Sequence, residues 1–160
     1  ASGTWTNTMS NIYVTNNHLS KGGIYIQGPD TPAEYMTNIY VENNQLIDSW
    51  RAGINCQNVG KFVSIRNNTI QNSNSDAAAD TGQEPCIYLS DCTDAICEGN
   101  FIYMGKLDPD DDQFSPHGIR YNDLVNPTIE HNRIINRTTN NPSYESTGTH
   151  TGSVRISRNL

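Results

Sequence analysis

Apolar residues recur along this chain in a fixed arrangement. Two apolar residues stand two positions apart, an Asn follows three positions later, and another apolar residue follows two positions after the Asn. The six copies are Ile12–Leu19, Ile39–Leu46, Val63–Ile70, Ala95–Ile102, Pro127–Ile134 and Val154–Leu160, the last of which is incomplete. Successive repeat Asn residues are 27, 24, 32, 32 and 27 positions apart. A repeat of this length predicts a solenoid.

The arrangement has a direct physical reading. Apolar residues at i and i+2 point to the same side of a β-strand. The Asn lies where the chain must turn sharply, and Asn tolerates the left-handed backbone conformation better than other residues except Gly. Gly99, next to Asn100, meets the same need. When rungs stack in register, we expect the Asn side chains to hydrogen-bond from rung to rung as a ladder.

A second apolar strand is present in four rungs, in most cases directly after a Gly. The four segments are Gly23–Ile26, Gly53–Cys56, Cys86–Leu89 and Gly118–Tyr121. Each rung then has about three short strands, and about six rungs span roughly 29 Å at the usual strand spacing. An antiparallel sandwich would instead use Asn-Gly hairpin turns, and the sequence has none. We predict one all-β domain over 1–160, a single-stranded right-handed parallel β-helix.

Composition agrees with a narrow core. Hydrophobic residues make up 34% of the chain and charged residues 17%, while 21 residues are Asn. Disordered chains combine low hydrophobicity with high charge, and this chain has only the first property. The net charge of −7 argues against nucleic acid or an anionic membrane as a partner, and no apolar run is long enough for a membrane span.

The repeat and its strand plan resemble the pectate-lyase superfamily of right-handed β-helices. The Asn-rich, Cys-poor rungs are most similar to bacteriophage tailspikes and related polysaccharide lyases and epimerases. This resemblance covers most of residues 11–160. It implies a polysaccharide substrate or receptor, a glycan groove on the Gly-Ile strands and their preceding loops, an extracellular or virion-surface location, and a possible homotrimer.

Long polar connections mark the side of the solenoid where we expect binding. Gln71–Pro85 and Gly105–Pro116 precede Gly-Ile strands, and 27–37 and 136–152 are two further predicted loops. Outward positions on the Gly-Ile strands form a predicted column. Its members are Tyr25, Asn55, Tyr88 and Arg120, preceded in their rungs by Lys21, Arg51, Glu84 and His117. Aromatic rings suit sugar faces and Arg suits carboxylate or sulfate groups. The column may equally be read as an ordinary solvated sheet surface, an alternative that the sequence leaves open.

Two chemistries fit these residues. A glycosidase needs two carboxylates flanking the bond, and Glu84, Asp110 and Asp112 lie on adjacent insertions. A lyase or epimerase needs a base and a cation or acid that neutralises the substrate carboxylate, roles suited to His117, Arg120, Tyr88 and Arg51. The predicted catalytic candidates are Glu84, Asp110, Asp112, His117 and Arg120. The predicted substrate-binding residues are Tyr25, Arg51, Asn55 and Tyr88.

We expect no cofactor and no metal. Asp108–Asp112 offers oxygen ligands at alternate positions, yet it lacks the Gly and Glu of a calcium loop and is expected to be a solvated acidic segment. Free thiols are expected for all four Cys. Because the sixth repeat is incomplete, we predict a fragment of a longer protein, or ends protected by another chain. The candidate functions are a tailspike-like depolymerase, a non-catalytic glycan-binding or adhesion module, and a structural shaft.

Overall fold

Three parallel sheets wind around one axis. The computed structural model describes residues 9–28, 36–73, 85–104, 117–136, 144–153 and 155–157. In these ranges sheet A comprises β1 (Met9–Thr15), β4 (Met36–Glu42), β7 (Lys61–Arg66), β10 (Ala95–Glu98), β13 (Thr128–Glu130) and β16 (Arg155–Ser157). Sheet B comprises β2 (His18–Ser20), β5 (Gln45–Ile47), β8 (Thr69–Gln71), β11 (Phe101–Met104) and β14 (Arg133–Asn136).

Sheet C comprises β3 (Ile24–Gln27), β6 (Ile54–Gln57), β9 (Ile87–Ser90), β12 (Ile119–Asn122) and β15 (Tyr144–Thr147). The chain passes from A to B to C in each rung, and each strand pairs with its counterpart one rung away. The predicted parallel β-helix with three strands per rung is therefore confirmed. The described residues contain no helix long and apolar enough to cross a membrane.

The core is a narrow column of stacked apolar side chains. On sheet A, Val41 pairs in register with Ile65, which pairs with Cys97. All three are fully buried, as the i, i+2 pattern predicts. The four thiols are also free and buried, which confirms their predicted state.

The predicted Asn ladder is present. Asn44 donates from Nδ2 to Asn68 Oδ1 at 3.0 Å, and Asn68 donates in the same way to Asn100 Oδ1 at 3.0 Å. The ladder continues to Asn132 and, in the other direction, to Asn17. Each link brings a buried amide a partner that water cannot supply there.

The turn chemistry differs from the prediction by one position. The left-handed backbone belongs to the residue before each ladder Asn, as in Asn67 (φ 54°) and Gly99 (φ 67°). The ladder Asn itself keeps negative φ because its side chain must point inward to reach the next rung. A second prediction was also wrong: 136–152 is not wholly a loop, since it contains β15.

Candidate functional site

The outward positions of sheet C form a straight column along the solenoid axis. Register pairing places Tyr25 beside Asn55, Asn55 beside Tyr88, and Tyr88 beside Arg120. This is the predicted column, and the strand alternation that sends Ile24 and Ile26 inward is what turns Tyr25 outward. The fifth member is Glu145, which pairs with Arg120.

Glu145 is the centre of an ionic cluster at one end of this column. Its Oε2 atom lies 3.1 Å from His117 Nε2 and also accepts a hydrogen bond from Arg120 Nε. The side chain of His117 is only 9% exposed, whereas those of Arg120 and Glu145 are 27% and 30% exposed. One carboxylate oxygen therefore binds two basic groups at the edge of solvent.

The backbone before β12 fixes where His117 points. The His117 carbonyl accepts a hydrogen bond from Cys86 N–H at 3.0 Å, and the Gly118 carbonyl accepts one from Ile87 N–H at 2.9 Å. These bonds extend the ladder of sheet C beyond the strand. They join His117 to the β9 rung on one side, and its side chain meets Glu145 on the rung of the other side.

This geometry favours Glu145 as the reactive group of the cluster. Two contacts to one oxygen orient the Glu145 carboxylate. His117 directs Nε2 at Glu145, and its Nδ1 is buried. The imidazole therefore positions Glu145 and does not face the space above the column.

A second outward column runs beside the first and consists of amides and hydroxyls. Its members are Gln27, Gln57, Ser90, Asn122 and Thr147. Thr147 Oγ1 donates to Asn122 Oδ1 at 3.2 Å, and Asn122 Nδ2 approaches Ser90 Oγ at 3.4 Å. Such groups both donate and accept hydrogen bonds, which suits a ligand rich in hydroxyls.

The remaining predicted site residues are distributed unevenly. Glu84, Asp110 and Asp112 lie outside the described residues. Arg51 is exposed in the connection that leads into β6. Tyr25 is 49% exposed, and its hydroxyl donates to the Ala52 carbonyl at 3.1 Å. The structure thus joins Tyr25, Asn55, Tyr88 and Arg120 in one column and brings His117 to its end.

Sequence reasoning missed Glu145, because residues 144–147 have no Gly-Ile signature. A positional signal was available. The first residues of β6, β9 and β12 precede the next ladder Asn along the chain by 13 or 14 positions. The same count backward from Asn159 falls inside β15.

A possible metal-ligand group lies on another side of the solenoid. One ligand atom each from Glu98, Glu130 and His131 lie within 4.8 Å of one another. Glu98 is on sheet A, and its Oε2 is 3.4 Å from Arg66 Nε, a cationic neighbour that opposes cation binding. This group does not contribute to sheet C.

Ser146 and His150 are also adjacent, with 2.7 Å between Oγ and Nε2. His150 Nδ1 accepts the Leu124 N–H at 3.2 Å, so in the neutral imidazole the proton is on Nε2. Nε2 then donates to Ser146. This tautomer cannot take a proton from the hydroxyl, and the pair is not a nucleophile with its base.

Comparison with known proteins identifies a family and no individual relative. The sequence model described as right-handed beta helix region matches residues 1–159. No curated protein and no solved structure gives a significant match.

Proposed function

Because the chain belongs to the right-handed β-helix family, we propose that it is a polysaccharide-active module that binds a glycan along sheet C and cleaves it beside Glu145. The family match is consistent with polysaccharide-related proteins in general. The proposal adds a place and a reactive residue. By its resemblance to tailspikes, the module would act on surface glycan at an extracellular or virion surface, within a homotrimer.

The observation that carries the proposal is the position of Glu145. It continues a column that contains two tyrosines and an amide, and it is held by His117 and Arg120. Aromatic rings with polar edges are suited to sugar rings. A glycan lying along this column would therefore bring a glycosidic bond to an oriented carboxylate.

Hydrolysis needs a second carboxylate, roughly 5 to 10 Å from the first depending on the stereochemical course. Glu145, oriented by His117 and Arg120, suits the role of nucleophile or base. The proton donor to the leaving oxygen would come from Glu84, Asp110 or Asp112, which the sequence places on the connections leading into sheet C. Arg120 would hold Glu145 and contact the sugar next to the cleaved bond.

The test measures new reducing ends and unsaturated-uronate absorbance after incubation with a panel of capsular and plant polysaccharides. We expect reducing ends to form, and Glu145→Gln to lower the rate at least about 100-fold, as for loss of an acid–base group. Glu98→Gln is the matched control. Glu98 likewise contacts an Arg and a His, and its side chain is 36% exposed, but it lies on sheet A.

Cleavage that survives Glu145→Gln would refute the assignment of Glu145. Binding without cleavage would establish the second candidate, a non-catalytic glycan-binding module. One observation favours that candidate: among the described residues, the two outward columns of sheet C contain a single carboxylate.

A further inference from the structure

We infer that the glycan recognised by sheet C is an uncharged polysaccharide, not a polyuronate or a sulfated chain. This inference rests on the proposed function and specifies its substrate class. It follows from the charges of the ten outward side chains. Only Arg120 and Glu145 are charged among them, and they bind each other. The face therefore presents no net charge.

The described edges of the face carry no excess of positive charge. Lys21, Asp48 and Arg51 lie in the connections before β3 and β6, and Asp91 and Asp123 lie in the turns after β9 and β12. All five are at least partly exposed. Among the described residues, these two positive and three negative groups leave no excess cation for a repeating anionic chain.

Arg120 is already committed in part to Glu145. Arg recognises carboxylates through paired charge-assisted hydrogen bonds. Its Nε is already bonded to Glu145 Oε2. A substrate carboxylate bound by the remaining N–H groups of Arg120 would lie close to the Glu145 carboxylate, and the two like charges repel each other.

The groups that remain are those that neutral sugars use. Amides at Asn55, Gln57 and Asn122 and the hydroxyl at Thr147 match hydroxyl donors and acceptors. Tyr25 and Tyr88 provide apolar ring surface two rungs apart, roughly 9.6 Å at the usual strand spacing. That separation lets two sugar rings of one chain each meet an aromatic side chain.

A neutral substrate also decides the reaction. Elimination removes the proton next to a uronate carboxylate, and a neutral sugar has no such group. Cleavage is then hydrolysis. The bond between the anomeric carbon and the bridging oxygen breaks, the bridging oxygen receives a proton, and the hydroxyl of water ends on the anomeric carbon. No oxidant or reductant takes part.

The test is gel retardation of the full 160-residue chain in dextran, galactomannan, xyloglucan, polygalacturonate, alginate and hyaluronate, at low and high salt. We expect at least one neutral polymer to retard the chain. Its affinity should change by less than about twofold between low and high salt, because salt screens interactions between charges and a neutral polymer makes none. Tyr25→Ala should weaken it by about fivefold, the effect of one aromatic contact. Tyr13→Ala is the control, since Tyr13 is also an exposed first-rung tyrosine but lies on sheet A.

The outcomes separate the two proposals. Salt-sensitive binding of an acidic polymer that Tyr25→Ala weakens would overturn the neutral class and leave the glycan-binding face in place. No binding to any polymer, or binding unaffected by Tyr25→Ala, would overturn the proposed function itself.

A second variant tests the charge argument from the opposite direction. Glu145→Gln removes the anionic partner of Arg120 and leaves the face with one positive charge. We expect it to gain salt-sensitive retardation in polygalacturonate. If no gain occurs, the Arg120–Glu145 pair is not what excludes acidic chains, and the charge argument is overturned.

Discussion

Replacing Asn68 by Ala tests how much one link of the Asn ladder stabilises the solenoid. The Asn68 side chain is 1% exposed and makes four hydrogen bonds. Nδ2 donates to the Val41 carbonyl at 2.8 Å and to Asn100 Oδ1 at 3.0 Å. Oδ1 accepts from the Asn44 backbone N–H at 2.9 Å and from its side-chain amide at 3.0 Å.

The magnitude follows from the groups that lose a partner. Asn100 Oδ1 keeps the Asn68 backbone N–H, and the Asn44 amide keeps the Val14 carbonyl. The Val41 carbonyl loses one hydrogen bond but stays in the ladder between β4 and β7, whereas the Asn44 backbone N–H loses its Asn68 acceptor. A buried polar group deprived of its partner costs about 1–3 kcal/mol, so the substitution should lower the unfolding free energy by at least about that amount.

Asn17→Ala is the matched control. Asn17 belongs to the same ladder but is exposed, so water replaces the lost bonds. Its loss should cost no more than about 1 kcal/mol. Urea unfolding followed by far-ultraviolet circular dichroism measures both variants against the parent chain. If the two substitutions shift the midpoint equally, burial does not determine the strength of the ladder and the reasoning is wrong.

Four further expectations follow from packing and charge. Gly53→Ala should destabilise the fold by about 1–3 kcal/mol through overpacking. A Cβ at this position would lie 2.8 Å from Ile70 Cγ2 and 3.0 Å from the Cys86 carbonyl oxygen. Gly22→Ala, whose Cβ would have no atom within 4 Å, is the control, and the denaturation midpoints of the two variants are compared. Burial raises the pKa of Cys92 and of Cys97 to about 12 from 9.0. Each thiol has a higher pKa in the folded chain than in the unfolded chain, so its contribution to stability is complete below pH 9 and is lost as the pH rises toward 12. Unfolding midpoints measured across that pH range test this expectation, and midpoints that do not change with pH would contradict it. Both thiols should resist alkylation at pH 8 until denaturant is added, and rapid labelling of the folded chain would show that they are accessible. Asn68→Asp should destabilise more at pH 7 than at pH 4, because burial disfavours the charged carboxylate; a stability difference from the parent that does not change with pH would refute this.

Much of the fold is predictable from sequence because each rung repeats one physical requirement. An inward pair such as Val63 and Ile65 must be apolar, and a buried turn amide such as Asn68 must find a partner in the next rung. The position of the left-handed residue is harder to predict. Where two Asn residues adjoin, as Asn67 and Asn68 do, composition does not tell which bends the backbone and which points inward.

The site is less predictable for a related reason. Outward residues experience little packing constraint, so nothing in the pattern distinguishes Glu145. Its strand was missed because Tyr144 and Ser146 occupy the inward positions that Ile and Leu fill in β9. Only the register with Arg120 places it in the column, and register is a property of the folded chain.

The in-register column of sheet C has a consequence for how such a protein diversifies. Neighbouring outward residues are separated by as few as 25 positions, between Arg120 and Glu145, and as many as 33, between Asn55 and Tyr88. Their spatial step is nevertheless one strand spacing, about 4.8 Å. Insertions or deletions between rungs therefore leave the spacing of the outward side chains unchanged. Descendants of this chain can lengthen connections and replace outward side chains independently, so a new specificity requires only point substitutions on an unaltered scaffold.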